Sequence, residues 1–184
     1  FIGPLLGENI VLTVIQLLLI NLAMDTLAAI AYGAEPALKE FMLDKPIARD
    51  ASIITKEMYT EVLFSATYIT LACLAILFFA PVRNLFGDVD ITYLKSALFA
   101  TFMMAITFNG FNARTDSVNV LKHIGLNPQF LAVMGTILAI QFIFVTFGGE
   151  VLSVEPLAPQ HWLLCIAIAI LVIPLDIFRK LLMH

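Results

Sequence analysis

Charge is what this sequence has least of. Its 184 residues include ten Lys or Arg, fourteen Asp or Glu and three His, so only 13% are charged, where about a quarter is usual. Basic residues this sparse make no nucleic-acid footprint, which argues against DNA or RNA as a partner. Cysteine is scarce as well: Cys73 and Cys165 stand far apart, each inside an apolar run. A disulfide framework or a metal site needs paired or clustered spacings, so both read as packing residues. There is no Gly-rich phosphate loop, no zinc-ligand spacing and no Ser/His/Asp arrangement. Nothing here is expected to hydrolyse a substrate unaided, and no internal repeat stands out. A charged n-region and a cleavage-like site are also lacking, so a signal peptide is not expected. The opening "FIGPLLGEN" reads as a cut through a larger protein.

Hydrocarbon is what the sequence has in excess. Hydrophobic residues make up 61% and the mean hydropathy is +0.98, against about 45–50% apolar residues in soluble domains. A domain of this size cannot hide that much apolar surface inside itself, so lipid is the expected solvent. A helix needs about 20 apolar residues to cross about 30 Å of hydrocarbon. Five stretches meet or approach this, at residues 10–34, 59–80, 91–112, 128–147 and 160–180. They lack the period-two alternation, in segments of about ten residues, that marks an outer-membrane barrel. The expected fold is all-α: a polytopic membrane bundle of five transmembrane helices, with a short N-terminal stub of a sixth, forming a single membrane domain over residues 1–184. Turn chemistry separates the spans, with Pro81 and Gly87-Asp88 after the second and Gly148-Gly149 after the fourth. Pro159 restricts the lead-in to the fifth, and Pro174 is expected to kink or end it.

Orientation follows from Lys and Arg. If successive connectors alternate sides, Lys39, Lys45, Arg49, Lys56, Arg114, Lys122, Arg179 and Lys180 share one side. Only Arg83 and Lys95 take the other. This asymmetry makes loops 35–58 and 113–127 cytosolic, the N-terminal end external and the C-terminus cytosolic. Trp162, at the start of the fifth span, fits an interfacial anchor on the outer side.

The first span contains "LLLINLAMDTLAAIAYGAEP", in which Asn21 and Asp25 interrupt an apolar run. A carboxylate at a helix centre costs roughly 2.5–3.5 kcal/mol on insertion scales and is usually functional or paired. At i and i+4 the two side chains share a helical face. Together they offer a carboxylate and an amide carbonyl, hard oxygen ligands of the kind Ca²⁺ or Mg²⁺ prefers. An Asp paired with a neighbouring helix, or a protonated carboxyl bonded to Asn21, fits the same pattern. Two ligands do not complete a calcium shell of about 6–8 oxygens, so others must come from other helices or from unwound backbone. In "FMMAITFNGFNARTD", Asn109 and Asn112 stand at i, i+3 and read as amides that cap or bridge helix ends. Gln141 is placed to hydrogen-bond between helices. Asp176 with Arg179 and Lys180 reads as an interfacial ion pair. No role is assigned to His123, His161 or His184.

At "QLLLINLAMDTLAAIAYGAEP" the sequence resembles the sixth transmembrane helix of calcium-transporting P-type ATPases. That helix carries asparagine, three residues, aspartate, and then a glutamate–proline or asparagine–proline at the cytosolic end. "KPIARDASIITKEM" resembles the loop between the family's sixth and seventh helices, and "FNGFNART" the end of the eighth. "NPQF" and "IQFIFVTFGGEVLSVEPL" through "HW" resemble the ninth helix and its exit toward the tenth. The likeness covers nearly the whole chain, with Phe1–Leu6 as the tail of the fifth helix, and is nearest the plasma-membrane-type pumps.

The resemblance implies that Asn21 and Asp25 are calcium ligands, with a glutamate and unwound carbonyls of a fourth helix upstream completing the site. Two-site pumps of the family have a threonine just before the aspartate and a glutamate in the eighth helix. Here those positions hold Met24 and Ile106, which implies one transported ion per cycle. Ca²⁺ is the implied cargo, with ATP and Mg²⁺ used by cytosolic domains that this chain lacks; its implied partners are the bilayer, the N-terminal helices and those domains. Loop 35–57 would touch that machinery, and a cell membrane is the expected location. A pump for Mn²⁺ or another divalent ion carries a similar pattern, and a stand-alone secondary transporter with Asp25 as a proton or ion relay is the rival from another class.

Overall fold

The computed structural model describes residues 11–38, 54–115 and 117–183, together with Leu5, Gly7, Leu43 and Ser52. The stub before Gly7, apart from Leu5, lies outside the described residues, as do Lys39, Lys45 and Arg49 of the first connector. The described residues are helical and contain no strand. Five helices are long and apolar enough to cross a membrane: α1 (Val14–Gly33), α2 (Lys56–Phe78), α3 (Ile91–Ala113), α4 (Pro128–Phe147) and α5 (Pro159–Met183).

Polar caps set the starts of these helices more sharply than hydrophobicity does. The apolar run begins at Ile10, but α1 begins at Val14, because Thr13 and Gln16 form a reciprocal capping box. Each satisfies a backbone N–H of the other, which closes the first turn. Thr55, Asp90 and Asn127 each accept a backbone N–H from the first turn of α2, α3 and α4. Pro128 and Pro159 open α4 and α5 at a position where the missing N–H costs nothing. Within α5 the helix is interrupted at Leu171, between Pro159–Ile170 and Val172–Met183. Pro174 is the cause: its ring excludes the carbonyl four residues back, that of Ile170.

Helix α3 is the axis of the bundle. Of its most apolar stretch 61% is inside the protein, against 24% for α1. Ser96, Ala97, Ala100, Ala105 and Gly110 are buried along it and let neighbouring backbones come close. α2, α4 and α5 all pack on α3, whereas α1 lies mainly against α4. The outward faces carry Leu17, Leu18, Leu22, Leu63, Leu71 and Phe142, a surface suited to acyl chains.

A charge cluster stands where α5 meets the end of α3. The Asp176 carboxylate accepts from Arg179 Nε at 2.6 Å and pairs with Lys180 Nζ at 3.0 Å, and Arg179 reaches Glu61 of α2 at 3.6 Å. The sequence places this pair at an interface with water, yet Asp176 is only 1% exposed. Burial follows from the second task of Lys180, which donates to the carbonyls of Asn112 and Thr115 at 3.0 and 2.7 Å. Those carbonyls lie at the C-terminal end of α3, where a cation is favoured.

Candidate ion-binding helix

α1 is not one uniform helix. Val14–Leu19 and Thr26–Gly33 are α-helical, but Ile20–Asp25 forms a π-helical stretch. Hydrogen bonds in a π-turn run from i to i+5, so the turn is wider, and such turns occur frequently at functional sites. The stretch is "INLAMD", and it contains both candidate ligands. Ile20 and Met24 point inward, at 7% and 4% exposure. Asn21 and Asp25 are exposed. One wide turn thus gives Ile20 and Met24 to the bundle and leaves Asn21 and Asp25 exposed.

Asp25 also borders a cavity of about 200 Å³ between α1, α3 and α4. Met24, Ile106, Thr107, Asn109 and Tyr32 share that lining. Met24 and Ile106, far apart in sequence, are therefore brought together beside Asp25, and neither brings an oxygen there. Behind Met24, the Gln141 amide nitrogen lies 3.9 Å from its sulfur. Among the described residues no group of three or more His, Cys, Asp or Glu could hold a metal. The side chains of this turn thus supply two donors, short of the 6–8 that calcium takes.

Both ends of α1 are fastened to the bundle. At its beginning, Gln16 Nε2 donates to the Leu152 carbonyl at 2.8 Å. At its end, the Tyr32 hydroxyl donates to the Gly110 carbonyl at 3.1 Å, and Arg114 pairs with Glu35 at 3.1 Å. The two candidate ligands stand out in the sequence, but these fastenings do not. Gln16 is legible there only as a polar residue near the start of the span, and the Tyr32 and Glu35 partners are over 70 residues away.

The remaining polar candidates are bridges. Asn112 Nδ2 donates to Asn109 Oδ1 at 3.1 Å and to the Val172 carbonyl at 3.1 Å, while Ser65 donates to the same Asn109 oxygen at 2.9 Å. These amides join α2, α3 and α5. His161, which carries no sequence signal, is buried with Nδ1 2.7 Å from the Tyr93 hydroxyl, and that hydroxyl also accepts the Ala158 N–H at 2.8 Å. Trp162 is buried as well, its ring 5.2 Å from that of Phe142.

Residues 9–182 match the family described as "Cation transporting ATPase, C-terminus". The chain belongs to this family. As a cation-transporting ATPase C-terminus it is 37% identical over 171 residues to "Putative calcium-transporting ATPase 11, plasma membrane-type" of Arabidopsis thaliana, which covers 91% of the chain and 17% of the relative. It is 34% identical over 186 residues to "Calcium-transporting ATPase 9, plasma membrane-type" of the same plant, covering 98% of the chain and 17% of the relative. It is 32% identical over 182 residues to "Plasma membrane calcium-transporting ATPase 3" of Homo sapiens, covering 92% of the chain and 15% of the relative. The chain thus spans about one sixth of the length of these relatives. Its apolar spans and this kinship make it a multi-pass integral membrane segment of the cation-transporting ATPase family.

Proposed function

We propose that this chain is the carboxyl-terminal membrane part of an ATP-driven Ca²⁺ export pump and supplies two ion ligands, Asn21 and Asp25, from its first span. The observation that carries the reading is the π-turn Ile20–Asp25, which leaves both oxygen-bearing side chains exposed while burying Met24. An exposed carboxylate facing lipid would be costly. A face that meets further helices of a larger pump gives it a use, because those helices can bring the missing oxygens.

In this reading one Ca²⁺ is carried per cycle, since Met24 and Ile106 line the cavity beside Asp25 without offering an oxygen and the Thr107 and Asn109 oxygens there are engaged by Gln141, Ser65 and Asn112. The chain itself does no chemistry. Phosphorylation from ATP with Mg²⁺ belongs to cytosolic domains elsewhere in the protein, and ion capture at α1 permits it. The excess of Lys and Arg at the Glu35 end of the bundle supports a cytosolic location for that end.

The test is Asp25→Asn in the full-length pump, with phosphoenzyme formation from ATP followed against calcium concentration. Loss of calcium-dependent phosphorylation is expected, and normal calcium dependence would remove Asp25 from the site. Mn²⁺ supporting phosphorylation in the wild type where Ca²⁺ does not would reassign the cargo and leave the ligands in place.

A further inference from the structure

The two ligands sit in a span whose most apolar stretch is only 24% inside the protein. Within this chain their position is fixed in part by the places where α1 is tied down, Gln16 at one end and Tyr32 and Glu35 at the other. A helix that slips by one residue moves about 1.5 Å along its axis and turns about 100°. Calcium–oxygen distances fall within about 2.3–2.6 Å, so such a slip takes an oxygen out of the shell. At the Glu35 end two ties act together, Tyr32 on Gly110 and Arg114 on Glu35.

Arg114 has its side chain 3% exposed and makes contacts in four directions. Nη1 donates to Glu35 Oε1 at 3.1 Å. Nη2 donates to the Val120 carbonyl at 3.4 Å and to the Lys122 carbonyl. The guanidinium lies 5.5 Å from the centre of the Phe130 ring, against which Tyr32 packs at 6.0 Å. One side chain thus joins the end of α1, the end of α3, the connector after it and the start of α4. Only a planar fork can hold a carboxylate on one arm and two carbonyls on the other while its face lies over an aromatic ring.

Glu35 is well suited to be the held group. It is followed by Pro36, which disfavours helix at Glu35, and α1 ends at Gly33. The chain beyond it runs into the long connector to α2. We propose that Arg114 is a positioning residue for ion binding: by clamping Glu35 it fixes the axial position and rotation of α1, and so the place of Asn21 and Asp25. The proposal rests on the reading of Asn21 and Asp25 as Ca²⁺ ligands.

The experiment uses the full-length pump with Arg114→Lys, Glu35→Gln and the double variant. Two quantities are measured: the calcium concentration giving half-maximal phosphorylation from ATP, and phosphorylation by inorganic phosphate without calcium. Each single variant is expected to raise the half-maximal calcium concentration about fivefold or more, while phosphorylation by phosphate stays at the wild-type level. A purely structural role would lower both together. The double variant is expected to match the worse single one, because both remove the same clamp. Unchanged calcium dependence in Glu35→Gln overturns the proposal, even where Arg114→Lys fails to accumulate. Single effects that multiply in the double variant overturn it too. A wild-type pump without calcium-dependent phosphoenzyme would instead refute the function reading.

Discussion

The Gln141 side chain donates to the Thr107 hydroxyl at 2.7 Å and joins α4 to α3 inside the bundle. Thr107 donates in turn to the Met103 carbonyl at 2.9 Å, and Gln141 reaches that carbonyl at 3.2 Å. Two acceptors on one side fix the amide with its nitrogen toward α3. Its oxygen is then buried without a hydrogen-bond partner among the described residues.

That orphan oxygen sets the outcome for Gln141→Leu. The substitution removes interhelical hydrogen bonds worth about 0.6 kcal/mol each on average, and it also removes an unpaired buried acceptor that costs about 1–3 kcal/mol. The second effect equals or exceeds the first, so the variant is expected to be neutral or more stable by up to about 2 kcal/mol. Thermal unfolding of the detergent-solubilised full-length protein checks this. A large loss would mean that the amide oxygen has a partner.

Gly110 of α3 faces Tyr32 of α1 and Met134 of α4. A Cβ there would stand 3.1 Å from the Tyr32 hydroxyl and 3.2 Å from Met134 Cε. Gly110→Val must push Tyr32 off the Gly110 carbonyl, and destabilisation of about 1–3 kcal/mol is expected from overpacking. Tyr32→Phe at the same contact removes one hydrogen bond and costs about 1 kcal/mol. Equal melting temperatures for Gly110→Val and wild type would show that α1 is free to move away from α3.

Asp176 is the shared partner of Arg179 and Lys180. Asp176→Asn leaves two buried cations facing an amide, a loss of about 3–5 kcal/mol by analogy with other broken buried pairs. Lys180→Met leaves the Arg179 pair intact and is expected to be milder. The order of the two melting temperatures is the measurement, and the reverse order would mean that Lys180 acts mainly through the Asn112 and Thr115 carbonyls.

The one-ion reading makes a prediction about transport. Reconstituted full-length pump should move one Ca²⁺ per ATP, counted from ion uptake and phosphate release. Two ions per ATP would show that a second ion binds although Met24 and Ile106 bring no oxygen to the cavity beside Asp25.

Much of the candidate site is legible in the amino-acid sequence. Asn21 and Asp25 stand out because an amide and a carboxylate are costly in an apolar run, and their i, i+4 spacing puts them on one face. The π-turn that carries them is not legible, because "INLAMD" has the composition of an ordinary helix. Arg114 reads as a residue near a helix end, with no sign that it closes on Glu35.

The sequence by itself determined the solvent, the number of spans and their chemistry. Apolar runs of this length have no other stable environment than lipid, and in lipid the backbone must satisfy its hydrogen bonds within a helix. Only the tertiary structure decided which polar groups became fastenings and which were left facing outward. Gln16, Tyr32 and Arg114 hold α1 through partners far along the chain, and such contacts depend on how helices pack. Hydrophobicity puts a helix in the membrane without fixing its rotation or its height. At the two ends of α1 the contacts are to Leu152 and to Gly110 and Arg114, while Asn21 and Asp25 between them stay exposed.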